Sequence, residues 1–392
     1  MKRIVSVFFI CILMVSTIAP QVFARESEKM TEEEVVKNVK SAILIERDTG
    51  KVLYEKNSDV QLPPASMTKI MTMLLIMEAI DEGKLKWDEK IKTSEYAASM
   101  GGSQIFLEPG EEMTTKEMLQ GIAIGSGNDA SVAVAERLAG TVDDFVNMMN
   151  AKAKELGLTD TVFKNPTGLP VPDHFSTAHD MAMMAKELLK YEDITNFTGT
   201  YEAYLREDTD KKFWLVNTNK LVRFYPGVDG LKTGFTQEAK YCLTATAEKN
   251  GMRVIAVVFG APSSKERNAE VTKMLDYAFN KYETHAMYKR NQAVAKVKVS
   301  KGEKKQVEAL TSEPISILAK KGEDIKNVKQ TVVLDENMKA PVKKGDEVGK
   351  IIFEKDGKTM VESPLVASQD SKKANVWTLF KRSMGMFTKV SE

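Results

Sequence analysis

The hydrophobic pattern of the chain changes period near residue 285, and that change limits the possible folds more than any other feature of the sequence. Before it, apolar residues recur at three- and four-residue steps. Ile70, Met73, Leu74, Met77 and Ile80 form one such face, stopped by Asp81-Glu82-Gly83. Further helices are expected near 115–123, 128–139, 143–156, 177–190 and 264–281. Two hairpins are expected as well: Ala42 to Ile45 with Val52 to Tyr54 around Asp48-Thr49-Gly50, and 241–247 with 253–259 around Lys249-Asn250-Gly251. Beyond His285, Ala295, Val297 and Val299 alternate with Lys296 and Lys298. Short β-runs then recur at 315–318, 331–334, 349–353 and 359–362, separated by Lys-Gly and Asp-Gly turns. The pattern predicts an α+β domain over residues 25–284, followed by a small all-β domain over 285–370 with lysines on its exposed faces.

The two ends read differently. Lys2 and Arg3 precede an apolar run from Ile4 to Val15, and Val22-Phe23-Ala24 offers a cleavage site, so residues 1–24 read as a secretory signal peptide. The run is shorter than the roughly 20 residues that span a bilayer. Export would leave one thiol, Cys242, which sits in an apolar run and is expected to be a buried strand residue. At the other end, residues 371–392 place Trp377, Phe380, Met384 and Phe387 on one helical stripe beside Lys381, Arg382 and Lys389. Such a helix can lie in a membrane surface or dock on its own protein, and the membrane surface is the reading adopted. Lysine plus arginine number 56 against 55 acidic residues with no basic concentration, which argues against nucleic acid as a partner. Three histidines, His174, His179 and His285, do not suggest a metal centre, and no metal or organic cofactor is expected.

Three short segments carry the candidate chemistry. Ser66-Met67-Thr68-Lys69 opens the Ile70 helix, and a three-residue offset puts a hydroxyl and an amine on one face. Serine needs a base to become a nucleophile. A lysine supplies one only when burial or a neighbouring cation keeps its amine neutral. Taken alone, the tetrapeptide reads more readily as an ordinary helix cap at Ser66. Ser126-Gly127-Asn128 follows between two helical stretches, and Lys232-Thr233-Gly234 comes just before the Tyr241 run.

A serine-lysine pair, a Ser-x-Asn element and Lys-Thr-Gly in this order resemble the signature of penicillin-binding proteins and class A β-lactamases. The chain as a whole resembles the low-molecular-mass penicillin-binding proteins, the serine-type D-alanyl-D-alanine carboxypeptidases, and in particular their sporulation-associated branch. The likeness extends to Ala65, Gly102-Ser103, Leu107-Glu108-Pro109-Gly110, Asp129-Ala130, Asn165-Pro166-Thr167-Gly168-Leu169 and Gly260-Ala261-Pro262. Ser-Gly-Asn stands where the β-lactamases have Ser-Asp-Asn, and Phe235 stands where other members carry histidine.

The resemblance implies a transpeptidase-like domain, an antiparallel sheet with helices, standing on a β-sandwich over the membrane. It implies removal of the terminal D-alanine from peptidoglycan pentapeptide stems through an acyl-enzyme on Ser66, with Lys69 as proton acceptor and Ser126 as donor to the leaving amine. Asn128 would bond the substrate peptide and hold Lys69. Lys232 and Thr233 would meet the terminal carboxylate, Gly234 would leave room along the strand edge, and the backbone N–H groups of Ser66 and Phe235 would hold the oxyanion. β-Lactams would trap Ser66, and the protein would act outside the cytoplasm on the outer face of the cytoplasmic membrane.

Other classes fit less well. A Ser-His-Asp hydrolase would want Gly-x-Ser-x-Gly, which is absent. A metallopeptidase would want His-Glu-x-x-His, also absent, and His174 and His179 are expected to cap and pack the helix after them. A β-lactamase would need a deacylating glutamate, and no Glu-x-x-Leu-Asn element occurs. A penicillin-binding receptor that acylates without turnover is the non-enzymatic alternative.

Overall fold

The computed structural model describes residues 35–378. The expected signal peptide and all but the start of the expected terminal helix, helical at 376–378, lie outside the described residues. Five antiparallel strands form the central sheet, in the order Val52–Lys56, Ser41–Glu46, Met252–Ala261, Lys240–Lys249, Val228–Thr236. Strand Met252–Ala261 is buried along most of its length, because helices cover both faces of the sheet. Alternation sorts the side chains. Ile43, Ile45, Ile255 and Val257 face one core, with the helix Lys69–Asp81 at its centre. Ala42, Leu44, Val254 and Ala256 face the other, closed by Val271, Met274 and Leu275 of the helix Ser264–Lys281.

The helix Lys69–Asp81 buries Met71, Met73 and Met77 together with its leucines and isoleucines, so it is apolar nearly all round. The other expected helices appear as Thr115–Ala123, Asn128–Ala139, Val142–Glu155 and Ala178–Leu188. In the second hairpin Asn250 and Gly251 take φ values of 53° and 78°, the left-handed pair that a two-residue turn between twisted strands requires.

Composition and periodicity do not mark the strand Val228–Thr236, although the resemblance implies a strand edge at Gly234. Asp229, Gly230, Lys232 and Gly234 give it little β-propensity, and it exists because it pairs along its length with Lys240–Lys249. It ends the sheet, so among the described residues one of its edges has no strand beside it.

The second domain is the expected β layer structure. A five-stranded sheet, ordered Ala293–Lys298, Gln306–Thr311, Lys358–Ala367, Glu347–Lys355, Lys329–Leu334, shares one core with the pair Tyr282–Tyr288 and Ile315–Lys320. Residue 285 falls inside the strand Tyr282–Tyr288, which follows the helix Ser264–Lys281 directly. The domains touch through Ser316 Oγ donating to Asp48 at 2.5 Å and Arg290 donating to the Lys190 carbonyl at 2.8 Å. Among the described residues no helix is long and apolar enough to cross a membrane.

Candidate active site

Ser66 lies in a tight 3-10 turn, Ala65–Thr68, that leads into the helix Lys69–Asp81. Its hydroxyl caps no backbone group of that helix, so the cap reading does not hold. Two close backbone approaches wedge the turn in place. A Cβ on Gly168 would sit 1.8 Å from the Ala65 carbonyl oxygen, and one on Gly234 would sit 2.6 Å from that of Pro64. Ala65 itself takes a φ of 48°, a strained value for alanine that the surroundings impose. A bare Gly234 thus lets its strand press against the serine turn, a packing reason that stands beside the expected room for substrate.

Lys69 is wholly buried. Its Nζ lies 2.7 Å from Asn128 Oδ1, 2.7 Å from the Thr167 carbonyl oxygen and 3.2 Å from Ser66 Oγ. Burial first, and then the nearby charge of Lys232, hold the amine well below its ordinary pKa, with Asp129 opposing. A neutral amine has two N–H groups and one lone pair. Two of the three partners are carbonyl oxygens that can only accept, so in the neutral form the lone pair is left facing the serine hydroxyl.

Asn128 reaches Lys69 through its oxygen while its Nδ2 donates to the Gly101 carbonyl at 2.6 Å. Asp129 beside it accepts from the backbone N–H groups of Ile105, Leu107 and Ala130, which fixes the loop that carries Ser103. Ser126, 3% exposed, takes a φ of 63° just before this helix. Ser66, Ser103, Ser126, Thr233, Phe235 and Arg267 line one cleft of about 430 Å3, so residues from all three motifs meet there. Thr233 donates to Thr218 Oγ1 at 2.8 Å, and Phe235, half-exposed, packs on Tyr241 with ring centroids 4.5 Å apart.

Lys232 does not line the cleft. It is 1% exposed, donates to the Thr233 carbonyl at 3.1 Å, and is pushed down to about 7 by burial and by the Arg267 guanidinium. Arg267 and Lys220 are the cations that reach the cleft. The Arg267 side chain is held by Asn268 Oδ1 at 2.8 and 3.1 Å, and burial lowers it to about 10. Nothing in the spacing of the first turn of the helix Ser264–Lys281 marked it out.

Two further residues escaped the sequence reading. The Thr167 carbonyl belongs to a segment folded on itself by Asn165, whose Oδ1 accepts from the Thr167 and Gly168 N–H groups. A backbone acceptor carries no compositional signal. His174 does not cap the following helix, since Thr177 does so by accepting from Asp180 N–H at 3.0 Å. His174 instead lies 2.8 Å from Thr68 Oγ1, inside the first motif, and its Nδ1 accepts from Lys164 N–H. That leaves Nε2–H as the donor to Thr68, and burial lowers the ring to about 4, so it stays neutral. Cys242 is a free, buried strand residue, as expected, its thiol pushed up to about 11 by burial.

Comparison with known proteins agrees with this geometry. Residues 28–263 match the Peptidase S11 family of D-alanyl-D-alanine carboxypeptidases, and residues 282–373 match the C-terminal domain of penicillin-binding protein 5. The chain is 65% identical over 389 residues to the D-alanyl-D-alanine carboxypeptidase DacF of Bacillus subtilis, covering 99% of this chain and all of that one. It is 35% identical to DacC of Escherichia coli, over 90% and 88% of the two chains. Penicillin-binding protein 5 of Haemophilus influenzae superposes with a TM-score of 0.66 at 30% identity, over 86% of this chain and 98% of that one. Penicillin-binding protein D2 of Listeria monocytogenes, solved with ampicillin bound, superposes with a TM-score of 0.54 at 32% identity, over 62% of this chain and 98% of that one. With the serine-lysine pair, the Ser-Gly-Asn turn and the Lys-Thr-Gly strand around one cleft, and with relatives alike over both domains, this chain belongs to the serine D-alanyl-D-alanine carboxypeptidases of the penicillin-binding protein family.

Proposed function

We propose that Ser66 is the nucleophile of the carboxypeptidase reaction and Lys69 the base that activates it. The observation that carries this reading is the buried Lys69 amine, 3.2 Å from Ser66 Oγ, with only uncharged partners. Ser66 Oγ attacks the carbonyl of the penultimate D-alanine and its proton passes to Lys69. The tetrahedral intermediate then expels the terminal D-alanine as Ser126 delivers a proton to its amine. Water hydrolyses the resulting ester. The backbone N–H groups of Ser66 and Phe235 hold the oxyanion, each such donor being worth about 3 kcal/mol in comparable chemistry. Thr233 bonds the terminal carboxylate, with Lys232 supplying charge from behind the strand. Asn128 orients Lys69 and bonds the substrate peptide.

Removing the last D-alanine from pentapeptide stems takes away the donor for cross-linking, so the protein limits cross-linking in the vegetative or spore wall. β-Lactams acylate Ser66 as mimics of D-Ala-D-Ala. The leader at residues 1–24 supports export, and the amphipathic stripe of residues 371–392 supports peripheral attachment to the outer face of the cytoplasmic membrane. Domain limits at 24, 284 and 370 belong to the same reading.

The test is release of D-alanine from a peptide ending in Lys-D-Ala-D-Ala by residues 25–392, by the Ser66→Ala variant and by protein pretreated with benzylpenicillin. Only the first should release it. A protein that gains a penicillin adduct at Ser66 yet releases no D-alanine is a receptor without turnover. Deleting 374–392 should free the protein from membranes with activity kept, and retention of the truncated protein on membranes would refute the anchor.

A further inference from the structure

One hairpin of the catalytic domain carries large rings on its outer face. Its strands, Glu202–Leu205 and Phe213–Val216, pair so that Tyr204 stands directly opposite Trp214. Alternation sends Leu205, Phe213 and Leu215 inward, where both leucines are buried and Phe213 meets Phe106 edge to face at 5.5 Å. Tyr204 and Trp214 point the other way and are exposed. Their base is fixed at both ends. Arg206, after the first strand, bonds Glu111 at 2.6 Å and the Ile105 carbonyl at 3.1 Å. Asn217, after the second, donates to the Thr198 and Thr200 carbonyls at 2.9 and 2.8 Å.

The hairpin runs straight into the cleft. Thr218, four residues after Trp214, lines the cleft and accepts from Thr233. The chain between Trp214 and Thr218 spans at most about 14 Å. A pentapeptide stem whose last two residues fill the cleft is about 17 Å long when extended, so the sugar joined to its first residue stays within range of the hairpin.

The ring pair suits a sugar in size and in chemistry. Residues opposite each other across two strands hold their Cβ atoms about 5 Å apart, comparable with a pyranose ring. A pyranose has C–H groups on its faces and hydroxyl or N-acetyl groups at its rim. An aromatic face stacks on the first, and the Trp214 indole N–H, which has no partner among the described residues, donates to the second. The Lys212 amine, 4.1 Å from the Tyr204 ring centre, adds another donor. Two rings make too small a patch for a stable protein interface, which covers about 800 Å2 on each partner.

We propose that Tyr204 and Trp214 form a platform for the glycan strand of peptidoglycan, binding N-acetylated sugars beside the cleft while a stem peptide occupies it. The inference rests on the carboxypeptidase reading and concerns the polymer that carries the peptide, not the peptide itself. Polymer and soluble substrates should therefore respond differently to loss of the rings.

The test uses residues 25–392, native and with Trp214→Ala plus Tyr204→Ala. Benzylpenicillin acylation of Ser66 and D-alanine release from a soluble peptide ending in Lys-D-Ala-D-Ala should stay within about twofold of native. D-Alanine release from pentapeptide-bearing peptidoglycan should fall about tenfold, through KM. Cosedimentation with peptidoglycan stripped of its stem peptides should weaken by a similar factor, and Trp214→Phe should keep most of both. If the double variant loses penicillin acylation through misfolding, Trp214→Gln, which leaves the inner face of the hairpin untouched, decides by the same comparison. Native protein that does not sediment with stripped glycan, or a double variant that uses the polymer as well as native protein does, overturns the platform and leaves the carboxypeptidase reading intact. Loss of self-association in the double variant with glycan binding unchanged also overturns it, and makes the ring pair a contact between copies. If neither soluble peptide nor polymer releases D-alanine while Ser66 still binds penicillin, the carboxypeptidase reading falls, and cosedimentation with stripped glycan alone decides the platform.

Discussion

The two domains use lysine in opposite ways. In the β domain Lys296 and Lys298 alternate with buried Val297 and Val299, and Lys350 meets Glu362 at 3.0 Å in solvent. Those lysines keep one sheet face wet. In the catalytic domain Lys69 and Lys232 are among the largest fully buried side chains of the protein, and no carboxylate touches either amine. Burying an unpaired ammonium is expensive, so each of these amines holds its proton less tightly than an exposed lysine does. The β-domain lysines serve solubility. The buried ones are a cost to the fold, and for Lys69, 3.2 Å from Ser66 Oγ, the proposed role as base would account for it.

The largest expected effect tests that contrast at its centre. Lys69→Met should slow benzylpenicillin acylation of Ser66 by about a thousandfold, the usual scale for loss of a general base, while keeping the apolar packing. Stopped-flow or gel-based acylation kinetics would read it, and a rate within tenfold of native would remove Lys69 from the mechanism. Next, Gly168→Ala should destabilise the catalytic domain by about 3 kcal/mol, because the new Cβ meets the Ala65 carbonyl oxygen at 1.8 Å and the residue sits at a φ of 83°. Chemical denaturation measures this, and a change below about 1 kcal/mol would mean that the serine turn is not held as described.

A third prediction concerns pH. Lys232 titrates near 7 in the fold and near 10.5 in the unfolded chain, so between those values the unfolded chain binds more protons. Stability should therefore rise with pH across that window, and the Lys232→Met variant should lack this share of the rise when the two melting curves are compared. Arg267→Gln removes a neighbouring positive charge and should move the Lys232 titration upward. A parallel pH dependence in native and Lys232→Met proteins would show that the buried amine is not neutralised. The smallest effect belongs to the β domain, where Lys350→Ala should cost about 0.5 kcal/mol or less, as exposed ion pairs do. A larger loss there would erase the contrast between the domains.

Much of this was legible in the sequence because it rests on period and order. The helix of Ile70, Met73, Leu74 and Met77, the Asn250-Gly251 hairpin and the alternating valines near 297 each buried the predicted face. The three motifs were legible as short strings, and they converge on one cleft. What escaped has a common physical cause. Strand Val228–Thr236 is made by pairing rather than by its own composition. The Thr167 carbonyl is backbone, and Arg267 and His174 act through contacts with segments distant in sequence. Lys232, which the resemblance sets near the substrate's terminal carboxylate, is buried and does not line the cleft, while Arg267 does.

Cys242 pairs directly with Gly234 across the two strands that form the floor of the cleft, and its thiol is completely covered. With its pKa raised to about 11, that thiol reacts with almost nothing while the strands stay together. Residues 25–392 contain no other cysteine. The rate at which a thiol reagent labels residues 25–392 is therefore a clock for the opening of the strand Val228–Thr236, built into the chain without any added probe. A β-lactam adduct on Ser66, seated beside Gly234, should slow that clock.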